Sequence, residues 1–286
     1  MSTLVPPLFT GLVDDAAVFP PGAADLPDAV VDHRHHRHAW YAPLVGPLLV
    51  PASAVGKLGG LAQPAEHLAI GLVGDTGLDG LAAAVDQAAR EPALRVGQLE
   101  LAVAKRGEDP QPGLRQLLTL AAASPAGTVY AEIPLTWGLL AALDTVAAAR
   151  ADGVDAAVKF RTGGLAAELF PTPVELAAVI CACRDRRLPF KLTAGLHHAL
   201  RHTDPETGFT HHGFLNVLVG AIVATDGAEV ADVAELLATT HPMPLLEALR
   251  TETNKPRALW TGFGSCSVME PLTDLVRLGL VDGGFE

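Results

Sequence analysis

Short aliphatic runs, each followed by an alanine- and leucine-rich stretch, recur along the chain, and this alternation constrains the fold more than any other feature. GPLLVPAS (46–53) and EHLAIGLVGD (66–75) read as strands, and LDGLAAAVDQAAR (78–90) as the helix that follows. LRVGQLELAVA (94–104) precedes a helical stretch over 114–123, and TVYAEIPLT (128–136) precedes LLAALDTVAAARADG. DAAVKFRTGG (155–164) precedes PVELAAVICACRDRR, and LPFKLTAG (188–195) and RALWTGFGS (257–265) continue the series. These are seven strand candidates. An eighth is GFLNVLVGAIVA (213–224), whose continuous apolar character fits a buried helix equally well.

Strands alternating with helices over this length predict an α/β chain, a TIM-like (β/α)8 barrel, with an open doubly wound sheet as the competing topology. The first forty-odd residues are broken by Pro6, Pro7, Pro20, Pro21 and Pro27, with a histidine-rich helix over 29–41. The expected organisation is an irregular N-terminal extension over 1–45 packing on a barrel over 46–286.

Composition narrows the function classes. With 49% hydrophobic residues in 286, the chain can bury a large core. A net charge of −12 without a basic run interleaved with aromatics argues against nucleic acid. No basic leader precedes an apolar core, and no apolar stretch approaches the roughly 20 residues that span a bilayer, so a soluble cytoplasmic protein with no membrane partner is expected. Three cysteines, Cys181, Cys183 and Cys266, make no disulfide framework and only a weak metal pattern. The phosphate-loop, dinucleotide, HExxH and GxSxG motifs are absent, and GSCS lacks the elbow pattern that would mark Ser265 or Cys266 as a nucleophile.

The informative feature is charge inside the strands. Period-2 alternation puts Lys159 and Arg161 on one face of their strand, and Lys191, Thr193, Gly195 and His197 on one face of theirs. In the two preceding units Gln98 and Glu100 share a face, as do Tyr130 and Glu132. Charges within apolar strands are costly unless they pair or face a solvated cavity, and the C-terminal end of a barrel supplies such a cavity. Lys159, Lys191, Glu132, Glu100 and His197 are therefore the candidate catalytic residues, with interior salt bridges as the purely structural reading. Arg161, Thr193, Asp15 and the late glycine loop Gly262, Gly264 and Ser265 are the candidate contacts to a small anionic molecule. Asp15 serves equally as a helix cap, and the glycines equally as turn residues.

VKFRTGG resembles the VKTSTG-type strand end of class I deoxyribose-phosphate aldolases, and FKLTAG resembles their later lysine strand, KASGG. The resemblance implies a barrel in which Lys159 takes the Schiff-base position and Lys191 the assisting one. Phe160 and Arg161 stand where the family has small polar residues.

Three functions follow as expectations. The first is an imine-forming lyase or aldolase acting on a small anionic carbonyl compound. The second is a lyase, isomerase or hydrolase that uses a divalent metal as its cofactor, held by Glu100, Glu132 and His197. The third is a non-enzymatic small-anion-binding protein. Assembly as a homo-oligomer is left open.

Overall fold

The structure, a computed structural model, describes residues 5–63, 66–123 and 126–283. Residues 1–4, part of the stretch read for a leader, lie outside them. The strands are β1 (Val13–Asp15), β2 (Val45–Pro51), β3 (Leu68–Val73), β4 (Leu94–Ala102), β5 (Thr128–Glu132), β6 (Ala156–Arg161), β7 (Phe190–Thr193), β8 (His202–Thr203), β9 (Thr210–His211) and β10 (Trp260–Ser265). The helices are α1 (Leu26–His38), α2 (Val55–Leu58), α3 (Gly77–Ala88), α4 (Gln111–Ala123), α5 (Leu139–Ala151), α6 (Pro173–Asp185), α7 (Phe214–Thr225), α8 (Val230–Ala238), α9 (Pro242–Leu249) and α10 (Met269–Arg277).

Eight strands close a barrel in the order β1-β10-β7-β6-β5-β4-β3-β2, and β8 and β9 form a separate antiparallel pair. The barrel pairings from β2 through β6, and that of β7 with β10, are parallel. This is the (β/α)8 architecture expected from the alternation.

All seven strand candidates are barrel strands. The eighth place goes to β1, three residues inside the region read as an irregular extension. The other contender, 213–224, is helix α7: nine of its residues are buried, from Phe214 through Ala221 and Ala224, and it packs against α6 and α8. A helix enclosed on several sides has no polar stripe, which is why periodicity alone leaves it ambiguous.

The chain divides into two compact units, one made of Met1–Asp14, His35–Gly46 and Arg161–Glu286, the other of Asp15–Arg34 and Pro47–Phe160. In the second unit the residues Leu99, Leu101, Val129, Ala131, Val158 and Phe160 are buried on one face of the sheet, the face covered by α3 and α4. The opposite face carries Gln98, Glu100, Tyr130, Glu132 and Lys159. In the first unit α6 begins with a capping box, in which Thr172 and Glu175 satisfy each other's backbone N–H and Pro173 presets the first turn.

Among the described residues no helix is long and apolar enough to cross a membrane.

Asn216, fully buried in α7, locks the first unit together. Its Oδ1 accepts from the Arg201 N–H at 2.9 Å, and its Nδ2 donates to the carbonyls of Leu236 and Thr239, each at 2.8 Å. Truncation would leave one donor and two acceptors, all part-buried, without that partner. Asn216→Ala is expected to cost about 3 kcal/mol, read as a fall in the urea midpoint, whereas an unchanged midpoint would show that water replaces the amide.

Candidate functional site

The charged strand residues form two buried clusters of similar construction. In the first, Lys159 on β6 places its Nζ 2.6 Å from Glu100 Oε2 on β4 and 3.0 Å from Glu132 Oε2 on β5. Glu132 is the direct neighbour of Lys159 in the parallel register, but Glu100 lies two strands away. Side chains from alternate strands meet in this way only on the concave inner face of a barrel, where layers are filled from every second strand. Ala157, in register with Tyr130 and hence level with Glu100, leaves space for the lysine to reach back.

Gln98, one inward position before Glu100, donates from Nε2 to Glu100 Oε1 at 3.2 Å. Room for Gln98 comes from Gly71, its register partner on β3: a Cβ there would stand 2.7 Å from Gln98 Cγ and 2.5 Å from Leu49 Cδ2. The cluster is graded in its access to solvent. The Glu100 and Lys159 side chains are 1% and 4% exposed, while Glu132, the last residue of β5, is 15% exposed. Burying Lys159 and Glu100 is costly, and their mutual attraction offsets part of that cost.

The second cluster lies in the other unit. Lys191 Nζ on β7 makes an ion pair with Asp14 Oδ2 on β1, again two strands away, and both residues are buried. On the intervening β10 the residue in register with Lys191 is Gly262. A Cβ at Gly46 would collide with the Asp14 carboxylate, so the missing side chain there makes the cavity for that carboxylate.

The remaining candidates take other positions. Asp15 Oδ2 is 2.9 Å from His33 Nδ1, and both side chains are almost fully buried. Its Oδ1 accepts from the Ala17 N–H at 3.2 Å. The residue that meets a lysine is thus the neighbouring Asp14, and with only Val13–Asp15 in the strand there was too little alternation to choose between the two acids. Arg161 is exposed at the end of β6. Thr193 ends β7, pairs with Gly264, and accepts the Thr162 N–H on its carbonyl at 2.9 Å.

Gly262, Gly264 and Ser265 were expected in a loop that holds an anion, and all three lie within β10. Gly262 adopts φ +144, and a Cβ there would approach the Leu12 carbonyl oxygen at 2.5 Å, so close backbone packing accounts for this glycine. Ser265 is buried, and its hydroxyl donates to the Ser267 carbonyl at 2.8 Å.

His197 lies in the loop after β7 with Nδ1 2.8 Å from Glu270 Oε2 and Cys266 Sγ 4.0 Å from both ring nitrogens. The sulfur first, and the Glu270 carboxylate in support, raise its pKa from 6.5 to about 9 against the opposing effect of burial. The metal-based expectation required Glu100, Glu132 and His197 as ligands. Among the described residues, however, no group of three or more His, Cys, Asp or Glu is placed to hold a metal ion.

No family model matches the chain, and no curated protein matches it. Among solved structures it is similar to xylanase A of P. fluorescens subsp. cellulosa in complex with xylopentaose, at 12% identity over 90% of this chain and 86% of that one, with a TM-score of 0.43. A thermostable xylanase mutant from Cellvibrio japonicus matches at 12% identity, again over 90% and 86%, with a TM-score of 0.42.

Two predictions follow from this geometry. Lys159→Met leaves the buried Glu100 carboxylate and the part-exposed Glu132 carboxylate without their ammonium and is expected to cost about 3–5 kcal/mol in chemical denaturation. Adding Glu100→Leu to Lys159→Met is expected to restore part of that loss, and a double variant no more stable than the single one would show that the pair is not the cause. The second concerns His212, which is 1% exposed, shares a 2.8 Å hydrogen bond with the Pro171 carbonyl through Nε2, and has its pKa lowered by burial from 6.5 to about 4. A folded-state value below the unfolded one makes the neutral ring a stabilising element above about pH 6.5, and that contribution is lost as the pH falls toward 4. His212→Phe is expected to flatten the pH dependence of the melting temperature in that window, and an unaltered slope would contradict the assignment.

Proposed function

We propose that the barrel is an enzyme acting on a small anionic carbonyl compound, with Lys159 as the amine of a Schiff-base lyase or aldolase. The observation that carries this reading is a 4%-exposed lysine flanked by carboxylates at 2.6 and 3.0 Å, one of them open to solvent. A lysine serves as nucleophile only after losing a proton, and Glu132 is positioned to take it.

In the proposed sequence, Lys159 Nζ passes a proton to Glu132 and attacks the carbonyl carbon, whose π electrons move to oxygen. Glu132 returns the proton to that oxygen, water leaves, and the resulting iminium draws in the electrons of the adjacent C–C bond as it breaks, giving an enamine while the departing fragment leaves as an aldehyde whose hydroxyl proton passes to Glu132. Glu132 then protonates the enamine carbon, and hydrolysis of the imine so formed frees the lysine. Glu100, dry and tied to Gln98, balances the cationic intermediate throughout.

The same two carboxylates support a second reading. If Lys159 remains an ammonium, Glu132 and Glu100 act as the acid and base of an isomerase or hydrolase that forms no imine.

Borohydride trapping separates the two. Incubation with pyruvate or glyoxylate followed by borohydride is expected to add the reduced ligand to Lys159, located by peptide mass mapping, and Glu132→Gln is expected to slow the addition by about 100-fold. Turnover of a substrate with Lys159 unmodified would favour the ammonium reading.

A further inference from the structure

A second group of reactive side chains lies outside both lysine clusters, in the loops that follow β7 and β10. Cys266 is the first residue after β10, His197 lies four residues beyond the end of β7, and Glu270 is in the first turn of α10. His197 meets both of the others: Glu270 Oε2 lies 2.8 Å from its Nδ1, and Cys266 Sγ lies 4.0 Å from each ring nitrogen. Nδ1–H donating to the carboxylate fixes the ring and leaves Nε2 to exchange a proton with the sulfur, the same division of roles found in nucleophile–base–orienter triads.

Access is graded in the useful direction. Cys266 is partly exposed, and the His197 side chain is 24% exposed. A short distance before α10, the sulfur also sits near the helix end that favours negative charge. The sulfur and the Glu270 carboxylate beside the ring raise the His197 pKa to about 9. On the far side, His198 Nδ1 lies 3.3 Å from Asp274, whose carboxylate also accepts the Ala199 N–H at 2.8 Å, so Asp274 is bound to its own neighbours.

We infer that Cys266, His197 and Glu270 form a nucleophile site for an electrophilic carbonyl carbon, with Cys266 as the attacking sulfur, His197 as its proton partner and Glu270 as the positioning residue. As the S–C bond forms, the carbonyl π pair moves to oxygen, and His197 relays the thiol proton from sulfur to that oxygen. The product is a neutral adduct, and no oxidant or reductant is consumed. The inference goes beyond the lysine reading and uses different residues, so either can fail without the other.

The other two cysteines provide internal controls. Cys181 and Cys183 are buried, and burial raises both thiols above their ordinary range. With the full-length protein and iodoacetamide at about pH 6.5, Cys266 is expected to be alkylated while Cys181 and Cys183 stay unmodified. His197→Gln is expected to slow the Cys266 reaction by at least about tenfold, and Glu270→Gln by a smaller factor. Protection of Cys181 and Cys183 in each variant verifies that the fold survives.

Two carbonyl probes on the unaltered protein identify the class of electrophile. Acetaldehyde that shields Cys266 reversibly supports aldehyde addition, and p-nitrophenyl acetate that leaves an acetyl mass on Cys266 supports acyl transfer. Equal alkylation rates with and without His197, or failure of both carbonyl probes to engage Cys266, would overturn the inference.

Discussion

The inner face of the second unit depends on one constraint: an ammonium has been placed where water barely reaches, and its surroundings must compensate it. Lys159 meets that demand with Glu100 and Glu132, and the effect spreads outward from the three charges. Glu100 requires Gln98 on its second oxygen, Gln98 requires a glycine at 71, and Lys159 requires a small residue at 157 to reach across β5. Each requirement lies on a different strand, so the cluster ties β3 through β6 to one register. An apolar layer would hold the strands together at lower electrostatic cost, and the proposed imine chemistry would give the costlier arrangement a use.

Repetition of the pattern supports this view of the interior. Lys191 spans β10 to meet Asp14 as Lys159 spans β5 to meet Glu100, and in each case a residue with little or no side chain accompanies the crossing. Gly46 and Gly71 have a similar function, one accommodating Asp14 and the other Gln98. These glycines are read more usefully as missing volume on a crowded face than as turn residues.

Much of the fold was legible in the sequence because buried strands followed by helices leave runs of distinct composition, and all seven such runs became barrel strands. β1 was not legible, since Val13–Asp15 has two acids in three residues and no apolar run to mark it. The same brevity hid the choice between Asp14 and Asp15. At the site, alternation correctly grouped Gln98 with Glu100 and identified the lysine strands, because a charge inside a strand is conspicuous. It could not bring together Cys266, His197 and Glu270, which come from two loops and a helix and share no period. Gly262 looked like part of an anion-binding loop because sequence alone does not separate a glycine that shapes a loop from one that lets two backbones approach.

The central claim is that Lys159 is a reacting group and not simply half of a structural ion pair. It is tested most directly by the crystal structure of the protein soaked with a 2-oxo acid and borohydride. The account predicts continuous density from Lys159 Nζ to the ligand's former carbonyl carbon, with Glu132 in hydrogen-bonding reach of that bond. Lys159 still held by Glu100 and Glu132, with ligand density elsewhere or none, would contradict it.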